Sequence, residues 1–237
     1  MSFAKPVRPL LAALALATLT TAAAAGSFQV DPVKVEITAN RRIAGVRIKN
    51  QADHPVTIRN YALSWTQRNG EDVQAEVSSL VISPPIVTIP PGGVQLVRIG
   101  LRSVSTPPAS YRLIVEEVPE ANPGTGIQVA LRLSIPLFAM QKAGALTDLS
   151  WAAWQRGDGR WIVEATNNGP GYVRIENSDA SQQTGLGFGP TEMLGTVLPM
   201  SSRRWVLQTQ PSILDRRRFE RIARGKRHDN VQTVSTR

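Results

Sequence analysis

The sequence contains no cysteine, and only two of its 237 residues are histidines. Without cysteine the chain forms no disulfide and carries out no thiol chemistry. His54 lies in the turn-like Asp53-His54-Pro55, and His228 lies near the C-terminus. A histidine-based triad or metal cluster would need further partners that this chain does not have. The composition therefore predicts neither a histidine-dependent enzyme nor a metal protein, and no cofactor is expected.

The remaining polar residues also lack the arrangement of a catalytic site. Glu116 and Glu117 are adjacent, and adjacent residues of a strand point to opposite faces, so they do not form an acid–base pair. The glycine-rich residues 185–189 are followed by neither a helical pattern nor a lysine, which makes them a poor phosphate cradle. We expect a protein that binds a partner rather than an enzyme.

The N-terminal segment has the pattern of a secretory signal peptide. Lys5 and Arg8 precede an apolar stretch at residues 10–19, which is too short to span a bilayer, and alanines follow at 22–25. This predicts a signal peptide at residues 1–25, cleaved after Ala24 or Ala25. No later segment is apolar enough to cross a membrane. We therefore expect an exported periplasmic protein without stable membrane insertion.

Positive charge is in excess, with a formal net charge of +9. Many of the basic residues lie near the C-terminus: Arg203, Arg204, Arg216, Arg217, Arg218, Arg221, Arg224, Lys226 and Arg227. Such a cluster either binds anionic surfaces or is a solvated tail. Export argues against nucleic acid as the partner. We interpret residues 211–237 as a basic tail that is partly disordered.

Short apolar runs with a period of two, separated by proline and glycine turns, follow the signal segment. They number about seven in about 110 residues, as in an immunoglobulin-like sandwich. The apolar phase changes at Asp31-Pro32, which indicates a strand that moves from one sheet to the other. After a linker at 142–145, similar runs resume. The sequence predicts an all-β protein with two immunoglobulin-like domains, at 26–141 and 145–210, and a cleft between them.

Residues 127–135 alternate most regularly. The odd positions 127, 129, 131, 133 and 135 are branched apolar residues, and the even ones are polar or small. All the large apolar side chains of this strand therefore lie on one face. Two interpretations remain open from this pattern alone: the row packs into its own domain, or it is donated to another protein.

Several segments in combination resemble the periplasmic PapD-like pilus-assembly chaperones. The resemblance covers residues 28–140 well and 145–210 loosely, through Val-Asp-Pro-Val-Lys-Val at 30–35, Ser-Pro-Pro-Ile-Val-Thr-Ile-Pro-Pro-Gly at 83–92, residues 95–99, residues 111–119 and residues 128–138. It implies a chaperone that binds pilus subunits by donating a strand and delivers them to an outer-membrane usher. It also implies roles in fimbrium biogenesis and cell wall organization.

The resemblance also implies where a subunit binds. Ile127, Val129, Leu131 and Leu133 would be the donated row, and Lys34 would be the cleft residue that binds the C-terminal carboxylate of the subunit. Many members have a lysine where this chain has Pro136. This departure is similar to the divergent branch that serves spore-coat-protein-U-like subunits. The partner of Lys34 would then be Arg98, Arg102 or Arg132, or there is none.

A second function of a different class fits the same fold. Immunoglobulin-like domains also build structural or adhesive proteins of the cell surface. A fibre subunit normally has a donor segment, and no free apolar extension follows the signal segment here. The chaperone is therefore the preferred hypothesis.

Overall fold

The protein is all-β. The computed structural model describes residues 28–102, 107–119, 129–175 and 195–207. Its strands are β1 (Phe28–Asp31), β2 (Val35–Thr38), β3 (Ile43–Asn50), β4 (Val56–Arg68), β5 (Glu71–Glu76), β6 (Leu80–Ser83), β7 (Ile86–Ile89), β8 (Val94–Leu101), β9 (Ala109–Glu117), β10 (Arg132–Met140), β11 (Leu149–Gln155), β12 (Trp161–Asn167), β13 (Val173–Ile175), β14 (Gly195–Val197) and β15 (Ser201–Val206). No helix in these ranges is long and apolar enough to cross a membrane.

Strands β1 to β10 form a sandwich of two sheets. One sheet has the order β1-β3-β8-β6, and the other has the order β2-β10-β9-β4-β5, with β7 also paired to β4. Between them lies a cluster of buried branched side chains, such as Val46, Ile48, Ile58, Val97 and Leu113. Along β3 the buried residues alternate with exposed ones, because successive side chains point to opposite faces.

The N-terminal segment contributes to both sheets. β1 pairs with β3 in the first sheet, and β2 pairs in parallel with β10 in the second. The chain crosses between the sheets at Asp31-Pro32, where Pro32 has no N–H to give to a ladder. The prediction made from the change of apolar phase is thus confirmed.

Strands β11 to β15 form a second β unit. A three-stranded sheet, β11-β12-β15, and the β13–β14 pair enclose a smaller cluster that includes Val163, Ala165 and Trp205. Trp151 and Trp161 are partly buried against this cluster. Buried Asn167 holds its loops together: its Nδ2 donates to the carbonyls of Gly171 (2.7 Å) and Leu198 (3.1 Å). The two-sandwich architecture expected from the sequence is the one observed.

The two units are joined by a separate cluster and by polar contacts. Trp65, Phe138, Met140 and Leu198 are buried together there, with Ala145 and Tyr172 against them. Gln67 binds the second unit twice: its Nε2 donates to the carbonyl of Thr196 (2.7 Å) and its Oε1 accepts from the N–H of Leu198 (3.1 Å). Strand β10 therefore ends inside the contact between the two units.

Candidate functional site: an open strand edge beside an interdomain cleft

Strand β10 is paired along its length on one side and only in part on the other. β9 pairs with it from Arg132 to Ala139. On the opposite side, β2 pairs only with its last four residues, from Leu137 to Met140. Among the described residues, no strand pairs with that side of residues 132–136. Such an edge presents unpaired backbone groups to another chain.

The predicted donated row becomes progressively buried as it approaches and enters this strand. Val129, just before β10, is 81% exposed, whereas Ile135 is 4% exposed. Leu131 and Leu133 are half-buried and pack against the core cluster of the first sandwich. Ile127 lies outside the described residues. The odd face of this segment thus begins in solvent and ends in the protein's own core.

Charged side chains lie on the other face of this sheet, to which the even-numbered residues of β10 point. The Nη2 of Arg59 on β4 donates to the Oε2 of Glu116 on β9 (2.7 Å), and the Nε of Arg132 lies 3.7 Å from its Oε1. Hydrogen bonding from Arg59 first, with the charge of Arg132, holds the pKa of Glu116 below its ordinary value. Arg132, a predicted anchor, therefore lies beside an internal carboxylate.

Lys34 lies at the mouth of the interdomain cleft. It immediately precedes β2, and its Nζ is 3.1 Å from the Oε1 of Glu36 and 5.6 Å from the ring centroid of Tyr172. The hydroxyl of Tyr172 donates to the same Glu36 oxygen (2.6 Å), and its ring stacks on Phe138 with the centroids 3.5 Å apart. The Oε1 of Glu36 is thus shared by Lys34 from the first sandwich and Tyr172 from the second.

The charges of this cluster stabilise one another. Hydrogen bonding with Tyr172 and then with Glu36 raises the pKa of Lys34, against the effect of burial. Burial opposes ionisation of Glu36, but the hydrogen bonds from Tyr172 and Lys34 outweigh it and lower the pKa of that carboxyl. At neutral pH the cluster is a carboxylate held between an ammonium and a phenol.

Arg112 is a cleft residue that sequence reasoning missed. It is paired with Pro136 across β9 and β10, so the two side chains leave the same face of the sheet. Its guanidinium stacks on Trp65, 3.6 Å from the ring centroid, and its buried Nε has no hydrogen-bond partner in the part of the chain that the structure describes. Burial lowers the pKa of Arg112, although Asp72 counteracts this. Arg112 is identified by its pairing with Pro136, and this pairing cannot be read from the sequence.

The other two predicted anchors do not lie beside Lys34. Arg98 is on β8 of the four-stranded sheet, where it pairs with Gly45 and Ser83 and is exposed. Arg102 follows the end of the same strand. Lys34 adjoins the other sheet of the sandwich. The core of the sandwich thus lies between the sheet of Arg98 and Arg102 and the sheet beside Lys34, and an anchoring role for either arginine stays a prediction.

Residues 27–141 match the family of pili and flagellar-assembly chaperones, in its PapD N-terminal domain. Residues 27–141 of the chain belong to the PapD-like chaperone family. This family is one of periplasmic pilus-assembly chaperones and not a class of enzymes. The match ends one residue after β10, so it includes the open edge and Lys34. A search of curated protein sequences gave no significant match.

Solved structures of PapD-like chaperones share this fold. A chain of the chaperone–tip adhesion subunit pre-assembly complex of CsuC and CsuE, from the archaic chaperone-usher Csu pili of Acinetobacter baumannii, matches with a TM-score of 0.63 and 24% identity over 78% of this chain and 89% of that chain. The E. coli chaperone DraB matches with 0.57 and 18% identity, over 78% and 86%. A chain of the complex of SafA pilin with the SafB chaperone from Salmonella enterica matches with 0.55 and 13% identity, over 76% and 84%.

Proposed function

We propose that this chaperone binds pilus subunits by donating the open edge of β10 and delivers them to an outer-membrane usher. The observation that supports this most is the unpaired side of residues 132–136, which continues from the exposed Val129. A subunit that lacks one strand has an unpaired edge and an open apolar groove, and such an edge aggregates. A strand supplied by the chaperone satisfies the edge through backbone hydrogen bonds.

The donated row is Ile127, Val129, Leu131 and Leu133. Four such side chains contribute on the order of 6–12 kcal/mol gross on full burial, before the costs of association. Leu131 and Leu133 are already half-buried, so less of their surface remains to be covered. Val129 gains most among the described members of the row, because most of its surface is exposed.

The end of the subunit strand meets the cleft. Val35 pairs with Leu137, so Lys34 adjoins Pro136 on one side, and Arg112 pairs with Pro136 on the other. Neighbouring strands are about 4.8 Å apart, which puts the two backbones about 10 Å from each other. We propose that Lys34 and Arg112 flank a terminal carboxylate above Pro136. Arg112 then supplies the positive charge that a lysine at position 136 provides in many family members.

Co-expression with a candidate pilus subunit tests the donated strand. Val129→Glu introduces a charge where an apolar groove would receive valine, and we expect it to abolish recovery of a soluble one-to-one complex. Val94→Glu is the matched control, because Val94 is also exposed but lies on the four-stranded sheet. Equal recovery with both variants would refute the donated strand. Finding the mature protein in surface fibres would favour a structural or adhesive role instead.

The export and domain boundaries belong to the same proposal. We infer a signal peptide at 1–25, domains at 26–141 and 145–210, and a basic tail at 211–237. The signal peptide, the tail and part of the second domain lie outside the described residues. Mass spectrometry of the periplasmic protein is expected to find a new N-terminus close to Gly26, and an intact Met1 on cytosolic protein would refute export.

We also retain the association with spore-coat-protein-U-like subunits as a proposal, based on Pro136.

A further inference from the structure

We propose that Glu36 is an internal competitor for the subunit carboxylate: it occupies Lys34 in the free chaperone and must release it when a subunit binds. This inference rests on the proposed carboxylate anchor and names the residue that limits its affinity. Glu36 provides the same chemical group as a chain terminus, and its Oε1 is 3.1 Å from the Lys34 ammonium.

Arg112 differs from the other two cations by its lack of a carboxylate partner. Asp72 accepts from the Nη1 of Arg203 (2.8 Å), and Glu36 is paired with Lys34. Arg112 is stacked on Trp65 and forms no ion pair with a described residue. A terminal carboxylate that reaches Arg112 would next compete with Glu36 for Lys34.

Because Tyr172 also binds Glu36, Lys34 can leave Glu36 without leaving that carboxylate unpaired. A half-buried carboxylate that lost its only partner would be costly to keep ionised. The hydroxyl of Tyr172 donates to Glu36 independently of Lys34, at 2.6 Å. Glu36 keeps this hydrogen bond when Lys34 turns to the subunit. Release of Lys34 therefore costs one ion pair, while the contact between Glu36 and the second sandwich remains.

The consequence is an affinity below the highest that the cleft could provide. A chaperone that delivers its subunit onward benefits from an anchor that is easily reversed. Glu36 lowers the gain from carboxylate binding, because part of that gain replaces an interaction already present.

A peptide titration tests the competition. The probe is an N-acetylated pentapeptide of alternating valine and threonine, prepared with a free C-terminal carboxylate and as the C-terminal amide. Glu36→Gln removes the charge but keeps an oxygen that accepts from Tyr172. We expect it to lower the Kd for the free acid by about twofold to fivefold, as for loss of a partly exposed ion pair. The Kd for the amide should not change.

Two further variants separate the possible outcomes. Asp158→Asn removes one negative charge at a distant turn, where Asp158 pairs with Arg160, and should leave both Kd values unchanged. Glu36→Gln combined with Lys34→Ala should show no gain over Lys34→Ala alone. A gain that persists without Lys34, or no gain from Glu36→Gln, overturns the competition. If the wild-type protein does not prefer the acid to the amide, the carboxylate anchor itself fails.

A measurement on the unchanged protein keeps the test independent of folding. During titration with the free acid, the 13C resonance of the Glu36 carboxyl should shift together with the signals of Lys34. The amide should move neither. A Lys34 response without any response from Glu36 would show that the two groups do not exchange partners.

Discussion

The two halves of β10 have different neighbours although they form one continuous strand. Residues 137–140 pair with β2 on one side, and all four are buried. Residues 132–136 pair, within the described part of the chain, with β9 alone, and only Ile135 among them is buried. The buried half is fixed by its own protein, and it holds the other half in an extended conformation before any partner arrives. Ordering the binding strand in advance reduces the entropy lost on association.

Phe138→Ala should have the largest effect on this comparison, because it removes the anchor of the buried half. Phe138 is 1% exposed and contacts both Trp65 and Tyr172. We expect a loss of about 3–5 kcal/mol in the free energy of unfolding, measured in urea. Ser134→Ala, on the same face of the open half, should change it by less than about 0.5 kcal/mol. Similar losses for both would mean that the halves are equally important for folding.

Lys34→Ala should impair binding but not folding. It leaves a carboxylate in the cleft without its partner, at a cost of roughly 2–5 kcal/mol in binding. Recovery of the subunit complex should fall to background while the thermal unfolding temperature stays close to that of the wild type. Lys49→Ala, on β3 of the other sheet, is the matched control. Unchanged recovery with Lys34→Ala would assign the anchor to another basic residue or to none.

Leu131→Glu and Val129→Glu together measure where the protein's own core ends. Leu131 packs against that core and Val129 does not. We expect Leu131→Glu to lower the free energy of unfolding by about 1–2 kcal/mol and Val129→Glu to change it by less than about 0.5 kcal/mol. Complete unfolding of the isolated protein by Leu131→Glu would mean that the row belongs to its own core, contrary to the donated-strand proposal.

The smallest expected effect is the dependence of the interdomain contact on pH. The lowered pKa of Glu36 means that its contribution to stability is present above the ordinary carboxyl range and is lost as the pH falls through the lowered value. The raised pKa of Lys34 means that its contribution is lost only as the pH rises through that raised value. Both groups are partly exposed, so less than about 1 kcal/mol is expected.

Urea unfolding at several pH values, compared with Glu36→Gln, measures this contribution. The difference between the two proteins should be constant near neutral pH and should disappear as the solution becomes acidic enough to protonate Glu36. A difference that grows on acidification would have the wrong sign and would rule out the assigned ion pair.

Strands that carry an alternating apolar row could be predicted from the sequence, but the strands with which they pair could not. Apolar periodicity predicts strands at 86–89, 94–101 and 149–155, which are the bounds of β7, β8 and β11. Strand β5 has no such pattern, because Glu71–Glu76 is almost entirely exposed. The turn before it is indicated by Asn69-Gly70, and both residues have a positive φ. A strand that pairs outside the core shows little apolar periodicity in the sequence.

The candidate site, likewise, could be predicted only in part from the sequence. The alternating row is visible as a local sequence pattern, and Lys34 is implied by the resemblance of the segment around it to the family. Arg112 and Tyr172 are not, since one reaches the cleft through strand register and the other through contact between two sandwiches. The exposure of the row also depends on its distance from the core, so Leu133 and Val129 differ despite having equivalent places in the pattern. Local pattern gives the face of a strand, whereas its surroundings depend on residues distant in sequence.

The short length of β2 has a geometric consequence for any strand that binds here. β2 occupies the same side of β10 that an incoming strand would occupy, and its pairing begins at Val35. An incoming strand could therefore pair with this side of β10 as far as Pro136 and no further towards residue 137. A chain that continued past this point would collide with Lys34 and β2, whereas a chain that ends there would not. β2 would thus set the register of a bound strand by physical obstruction and select for a free chain end, independently of the side chains that bind its charge.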